Sequence, residues 1–329
     1  MTERKLVPVF IPPLAALLGA AQKQRGGDLT TQEVTQIRDR AACIMMEPAD
    51  AKALEASRGF RDVEPEDVWA DWHRLKVQVT GHGYLPRIVL CLVGDARFAA
   101  QAEALLRSEK IEHEVRGADP RMLRSFEAAA CRVEPSFAES DRVAVATHTN
   151  AVYVLSANFT AGAAIATARA MLAVGARLLE ECSGAAMKCE SSGIAHGKAK
   201  WLELARASAR PDVVEATRAA VRAFVQFPIG DRERLWTCGM HLLGRPDLIA
   251  DRAVLRDDFE VARLFDTFCI YLLAECGEER HFASGNTFQC DAASPRFRAT
   301  WEPCQGYDED EFFFNPFGRY RFADLPVTP

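Results

Sequence analysis

An α+β fold is what this chain of 329 residues predicts: an antiparallel or mixed sheet with long helices packed on one face, preceded by a smaller helical and βαβα N-terminal domain. Three observations carry that expectation. Long segments of the second half repeat apolar residues at three- and four-residue steps, short alternating segments pair around turns, and the stretch from Pro86 to Ala130 reads strand, helix, strand, helix. The length exceeds what one core comfortably serves. We therefore expect a domain over 1–135, a second over 136–306 and an aromatic, acidic tail over 307–329.

The elements follow in order. VPVFI reads as a strand and PLAALLGAAQKQ as a helix opening at Pro12 and Pro13, since proline is tolerated in a first turn. The same stretch has the charged start, apolar middle and small residues of a signal peptide, but Glu3, Pro8, Pro12 and Pro13 break that pattern, and the expected location is cytoplasmic. Thr30 and Glu33 form a capping box for a helix reaching about Cys43. PEDVWADWHRLK is helical, with Trp69, Trp72 and Leu75 at three-residue spacing. PRIVLCLVGD is a buried strand, ARFAAQAEALLRSEK a helix, IEHEVRGA a strand and DPRMLRSFEAAA a helix. RVAVAT and AVYVLS read as a hairpin around HTNA, followed by the helix AGAAIATARAMLAVGARLLEEC and the strand AAMKC. After a helix around AKWLELARA, the run VRAFVQFPIG reads as a strand, LWTCGMHLLG alternates as another, and FEVARLFDTFCIYLLAEC is a long helix. TFQCD and RFRATWEP are the last expected strands.

Composition narrows the function. A formal charge of −6 and a pI near 5.7 argue against a nucleic-acid partner, because that affinity comes mainly from cations neutralising phosphates. Arg outnumbers Lys thirty-two to eight, a bias expected of a GC-rich bacterial source. Ten cysteines without a CxxC pair read as reduced, mostly buried thiols, with no metal and no cofactor expected. No run of 18 or more apolar residues marks a membrane span.

The words AVYVLSANFTAGAAIATARAMLAVGARLLEEC, AHGKAKWLELA and LWTCGMHLLGRPDL, with the Phe-rich helix after them, resemble an uncharacterised bacterial domain-of-unknown-function family over roughly 140–305. The resemblance implies no activity and no catalytic residue.

Two groups of candidate site residues remain. CESSGIAHGKAKW looks like a phosphate loop, but three residues rather than four separate Gly193 from Gly197, and Ala199 stands where a magnesium-binding hydroxyl belongs. The same loop offers Cys189 or Ser192 as a nucleophile and His196 as its base, and His148 or His241 could join them. The tail YDEDEFFFNPFGRYRF offers Phe312, Phe314, Phe317, Arg319 and Tyr320 as an aromatic patch for a protein partner, unless it straps the domain instead. The leading expectation is a non-catalytic binding module with a protein partner. The alternative is an enzyme of unknown class using the 189–198 loop with a neighbouring histidine.

Overall fold

The structure, a computed structural model, describes residues 6–58, 60–81, 83–131, 133, 137–252, 257–276, 282–309 and 311–324. The chain forms two compact units that divide between Tyr84 and Leu85.

In the first unit, β1 (Val7–Phe10) pairs antiparallel with β2 (Cys43–Met46), and α1 (Leu14–Arg25), α2 (Thr31–Arg40), α3 (Pro48–Arg58) and α4 (Val68–Thr80) accompany them. The proline pair does open α1, and the helix start is capped from a distance: the Asp62 carboxylate accepts the Leu14 and Ala15 N–H groups at 2.9 and 2.7 Å. The expected capping box is present at α2, where Glu33 Oε2 accepts the Thr30 N–H at 2.7 Å and Thr30 Oγ1 accepts the Glu33 N–H at 3.3 Å. Leu14, Leu18, Val34, Val68 and Trp72 form the core. Inside it sits a charge. Asp71 is fully buried and accepts from Arg61 Nη2 at 2.6 Å, Arg74 Nε at 3.2 Å and the Glu64 N–H at 2.7 Å. Burial pushes its carboxyl upward, but the two guanidiniums and these hydrogen bonds outweigh that and hold it below the usual carboxylate range.

The second unit contains a five-stranded antiparallel sheet in the order β4-β5-β3-β6-β7, built from β3 (Val89–Gly94), β4 (Glu112–Gly117), β5 (Asn150–Leu155), β6 (Ala186–Cys189) and β7 (Ile194–Gly197). Two βαβ pieces interleave: α5 (Ala96–Ser108) joins β3 to β4, and α8 (Ala161–Glu180) joins β5 to β6. That is the split-βαβ topology of ferredoxin-like sheets. Here α6 (Met122–Ala130) and α7 (Glu139–Ala146) are inserted before β5, and β7 is added at the edge. The α+β class expected from the sequence is what forms. The long helices α5 and α8 share one face, where Phe98 and Leu179 meet beside Gly184. The shorter α6 and α7 cover the other through Phe126, Ala130 and Val145 against Cys91, Val93 and Ala151.

The remaining strands make a six-stranded sheet ordered β11-β12-β13-β10-β9-β8: β8 (Gln226–Gly230), β9 (Arg234–Cys238), β10 (Asp247–Asp251), β11 (Thr287–Gln289), β12 (Arg296–Glu302) and β13 (Arg319–Asp324). Helices α9 (Lys198–Ser208) and α10 (Val213–Phe224) lead into it, and α11 (Asp258–Ile270) follows β10. Phe268 of α11 is the hub of an aromatic cluster, with Phe288, Phe282, Phe322 and Tyr320 at centroid distances of 4.7, 5.0, 5.0 and 5.7 Å. Helix α8 is long and apolar enough by composition to cross a bilayer, the one such helix among the described residues. It lies instead against Met187 and Trp201, which crowd Gly175 to within 2.6 and 2.7 Å of where a Cβ would stand.

Five expectations are corrected. The βαβα segment belongs to the second unit, because β3 and β4 both pair with β5, so the 1–135 domain stops at Tyr84. Residues 142–147 are not a strand: they belong largely to α7, whose start is fixed by the Asp141 carboxylate accepting the Ala138 N–H at 3.0 Å. VRAFVQFPIG is helical to Phe224 and becomes the expected strand only from Gln226, in β8. LWTCGMHLLG is a strand only as far as Cys238, because Gly239 takes a left-handed φ of 119° and a 3-10 turn follows over Met240–Leu243. The tail is not a separate segment: its Arg319–Asp324 is β13, an inner strand of the six-stranded sheet, parallel to β10 and antiparallel to β12, because its alternating Tyr320 and Phe322 fill the core under α11. Asp310 and residues 325–329 of that tail lie outside the described residues.

Candidate functional site

The 189–198 segment is a tight hairpin. Cys189 ends β6, Gly193 takes the left-handed φ of 70° with its N–H bonded to the Cys189 carbonyl at 2.9 Å, and β7 carries the chain to α9. Cys189 is fully buried and its thiol is pushed up to about 11 by that burial, the reverse of what an activated nucleophile needs. Burial also drives His196 and His241 down to about 4. The phosphate-loop resemblance ends at Gly197: an added Cβ there would stand 2.2 Å from Asp141 Oδ2, so a carboxylate already occupies the approach to the α9 N-terminus.

The three histidines do not converge. His148 lies on the α6–α7 side of the five-stranded sheet, where Nδ1 donates to the Val145 carbonyl at 2.6 Å and Nε2 accepts the Asp119 N–H at 3.1 Å. His196 packs on the opposite face with its ring 6.0 Å from Trp201 and Nε2 3.3 Å from the Ala223 carbonyl. His241 sits in the 3-10 turn after β9. The Ser191 and Phe312 backbones favour its charge electrostatically, yet neither ring nitrogen makes a hydrogen bond of ordinary geometry. Ser192 Oγ and His196 Nδ1 are likewise buried without a hydrogen bond of ordinary geometry. Among the described residues, no group of three or more His, Cys, Asp or Glu side chains could hold a metal ion.

Beside this region is a second buried carboxylate. Asp247 Oδ1 accepts from Thr237 Oγ1 at 2.7 Å and the Met240 N–H at 3.2 Å, and Oδ2 accepts from Asn315 Nδ2 at 2.6 Å. All three donors are neutral. Burial therefore prevails and raises the carboxyl to about 6. Asn315 opens the expected Asn-Pro-Phe-Gly turn, closed by the Gly318 N–H on the Asn315 carbonyl at 3.1 Å. Gly318 is required there, with φ 77° and the Glu302 carbonyl oxygen 2.5 Å from any Cβ.

The aromatic candidates divide. Phe317 and Tyr320 are buried, the Tyr320 hydroxyl donating to the Phe282 carbonyl, and Arg319 is paired with Glu302. Phe314 is half-buried, and only Phe312 of the five stands in solvent. They do not form a common exposed patch.

What is open is a cleft of about 450 Å³ at the end of β4, lined by the loop Gly117–Arg121 with Arg116, Met122, Ala151 and Tyr153. Arg116 lies over the Tyr153 ring at 5.2 Å and donates through Nε and Nη2 to the two Glu114 oxygens at 2.8 and 2.9 Å. Arg121 forms the same fork with Asp119, at 3.1 and 2.9 Å. That fork and the Arg121 N–H hold the Asp119 carboxyl at about 2. His148 buttresses the loop from below through the Asp119 N–H. Each fork uses one edge of its guanidinium, leaving Nη1 of both without a hydrogen-bond partner among the described residues. The sequence analysis passed over these residues, although Glu114 and Arg116, two apart on a strand, announce a same-face pair.

No family model, no curated protein and no solved structure matches this chain.

Proposed function

We propose that the protein is a non-catalytic binding module and that its partner, a protein, presents an acidic segment to the cleft at the end of β4. The support is the pair of guanidiniums at its mouth, each already oriented by a carboxylate two residues away, above a Tyr153 and Met122 floor. Side chains held in place before binding lose less entropy on binding, and a planar donor edge suits a carboxylate. The cleft falls within the usual volume range of ligand sites. Kinship with the uncharacterised family over roughly 140–305 stays part of this proposal and brings no activity with it.

The test uses a fluorescein-labelled oligoglutamate peptide. Its affinity for the intact chain falls at least tenfold in the double variant Arg116→Glu, Arg121→Glu, and declines with added salt in the parent. The two side chains are 61% and 87% exposed, so the melting curve of the variant stays in place. Equal binding by parent and double variant removes the cleft from consideration.

A further inference from the structure

The β1–β2 ribbon of the first unit has one closed edge and one open one. The Ile11 N–H donates to the Ala42 carbonyl at 3.0 Å, and Val9 stands opposite Ile44 and Val7 opposite Met46. In an antiparallel ladder this turns the backbone groups of Ala42, Ile44 and Met46 toward β1 and those of Cys43 and Met45 outward. On β1 the outward positions are Pro8 and Phe10. Pro8 has no N–H to offer, and the Phe10 carbonyl is taken by Arg58 Nη2 at 3.2 Å. That edge is blocked.

On β2 nothing comparable occurs. Among the described residues no strand pairs with its outer edge, and Cys43, Ile44 and Met45 are all exposed, Ile44 by 49% and Met45 by 56%. The strand reads Cys-Ile-Met-Met, without the charge, proline or bulge that ordinarily protects an edge. A two-stranded ribbon is also marginal alone and gains from a third and fourth strand.

We propose that this edge pairs with the same edge of a second copy of the chain, antiparallel and across a two-fold axis at Ile44, giving a continuous sheet β1-β2-β2-β1. The register follows from the outward groups, since Cys43 and Met45 of one copy satisfy the N–H and C=O groups of Met45 and Cys43 of the other. The occupant follows from self-complementarity. Arg40 ends α2 just before the strand and Glu47 comes directly after it, so an antiparallel two-fold brings Arg40 of each copy toward Glu47 of the other while apolar side chains meet apolar ones between.

Sedimentation equilibrium of the intact chain, at roughly 10–200 μM for so small an interface, gives a monomer–dimer equilibrium. Met45→Pro removes an outward N–H that β1 does not use, and it abolishes the dimer while the circular dichroism spectrum is retained. Arg40→Glu and Glu47→Arg each weaken association at least fivefold, and the double variant restores it because the pair is merely exchanged. A monomer throughout the range overturns the proposal. So does a dimer that survives Met45→Pro with the fold intact, or a double variant no better than either single one.

Discussion

Asp71 in the first unit and Asp247 in the second are both buried carboxylates, and their surroundings send them in opposite directions. Asp71 is met by Arg61 and Arg74, and it stays ionised. Asp247 is met by a hydroxyl, an amide side chain and a backbone N–H, and it is raised to about 6. Each accepts three or more hydrogen bonds, so the number of donors does not decide the matter. Formal charge on the donors does: neutral donors offset part of the desolvation of a carboxylate, while a pair of guanidiniums can outweigh it.

The largest effect expected from this contrast is in the first unit. Asp71→Asn leaves Arg74, whose side chain is 13% exposed, beside an uncharged amide, and costs about 3–5 kcal/mol in urea unfolding at pH 7. A loss below about 1 kcal/mol would mean that the other partners of Arg74, Asp67 at 3.3 Å among them, hold its charge without Asp71.

The second expected effect is a pH dependence of opposite sign. A carboxyl raised in the folded state binds its proton more tightly there than in the unfolded chain. Its contribution therefore favours folding below the unfolded value near 4 and is lost as pH rises through about 6, an amount on the order of 3 kcal/mol. For Asp71, whose folded value is lowered, the contribution is complete above the unfolded value and lost as pH falls below it. His196 and His241, lowered to about 4, add a separate loss as pH falls from about 6.5. Comparing the parent with Asp247→Asn at pH 4 and pH 7 cancels the histidines. Relative to the parent, the variant should be more favoured at pH 7 than at pH 4 by about 2–3 kcal/mol, and equal differences at the two pH values would break the contrast.

The smallest effect isolates one neutral donor. Thr237→Val removes a hydroxyl that donates to Asp247 and accepts the Leu248 N–H at 2.9 Å, and costs about 1–3 kcal/mol. The infrared band of the protonated Asp247 carboxyl then persists to higher pH than in the parent. An unmoved band would show that Asn315 and the Met240 N–H alone set its protonation.

What could be read from the sequence was local. The Thr30–Glu33 box, the proline-opened α1, the strand at Val89–Gly94 and the Asn315–Gly318 turn depend on residues within a few positions of each other, and all are present. Val143 and Val145 alternate as a strand would, but the residues around them cap a helix, and local capping prevailed. The unit boundary was illegible because it depends on β5 inserting between β3 and β4, a pairing across dozens of residues. The cleft was hidden for a related reason: Arg116, Arg121 and Tyr153 are ordinary until the sheet places them together. Aromatic density in the tail was visible, and burial as a strap was one of its two readings; the pairing of β13 with β10 that buries Tyr320 and Phe322 was not.

That pairing sets a timetable for the growing chain. Asn315 and Asp247, which join β13 to β10, are separated by 68 positions, and at ordinary ribosomal speeds the partner of β10 emerges roughly 3–14 s after it does. Throughout that interval β10 presents an open edge whose Leu-Ile-Ala centre lies between Asp247 and Asp251, and the Phe268 cluster lacks Tyr320 and Phe322. The second sheet is therefore completed only once β13 is available, and until then the β13 side of β10 is open to pairing with another chain.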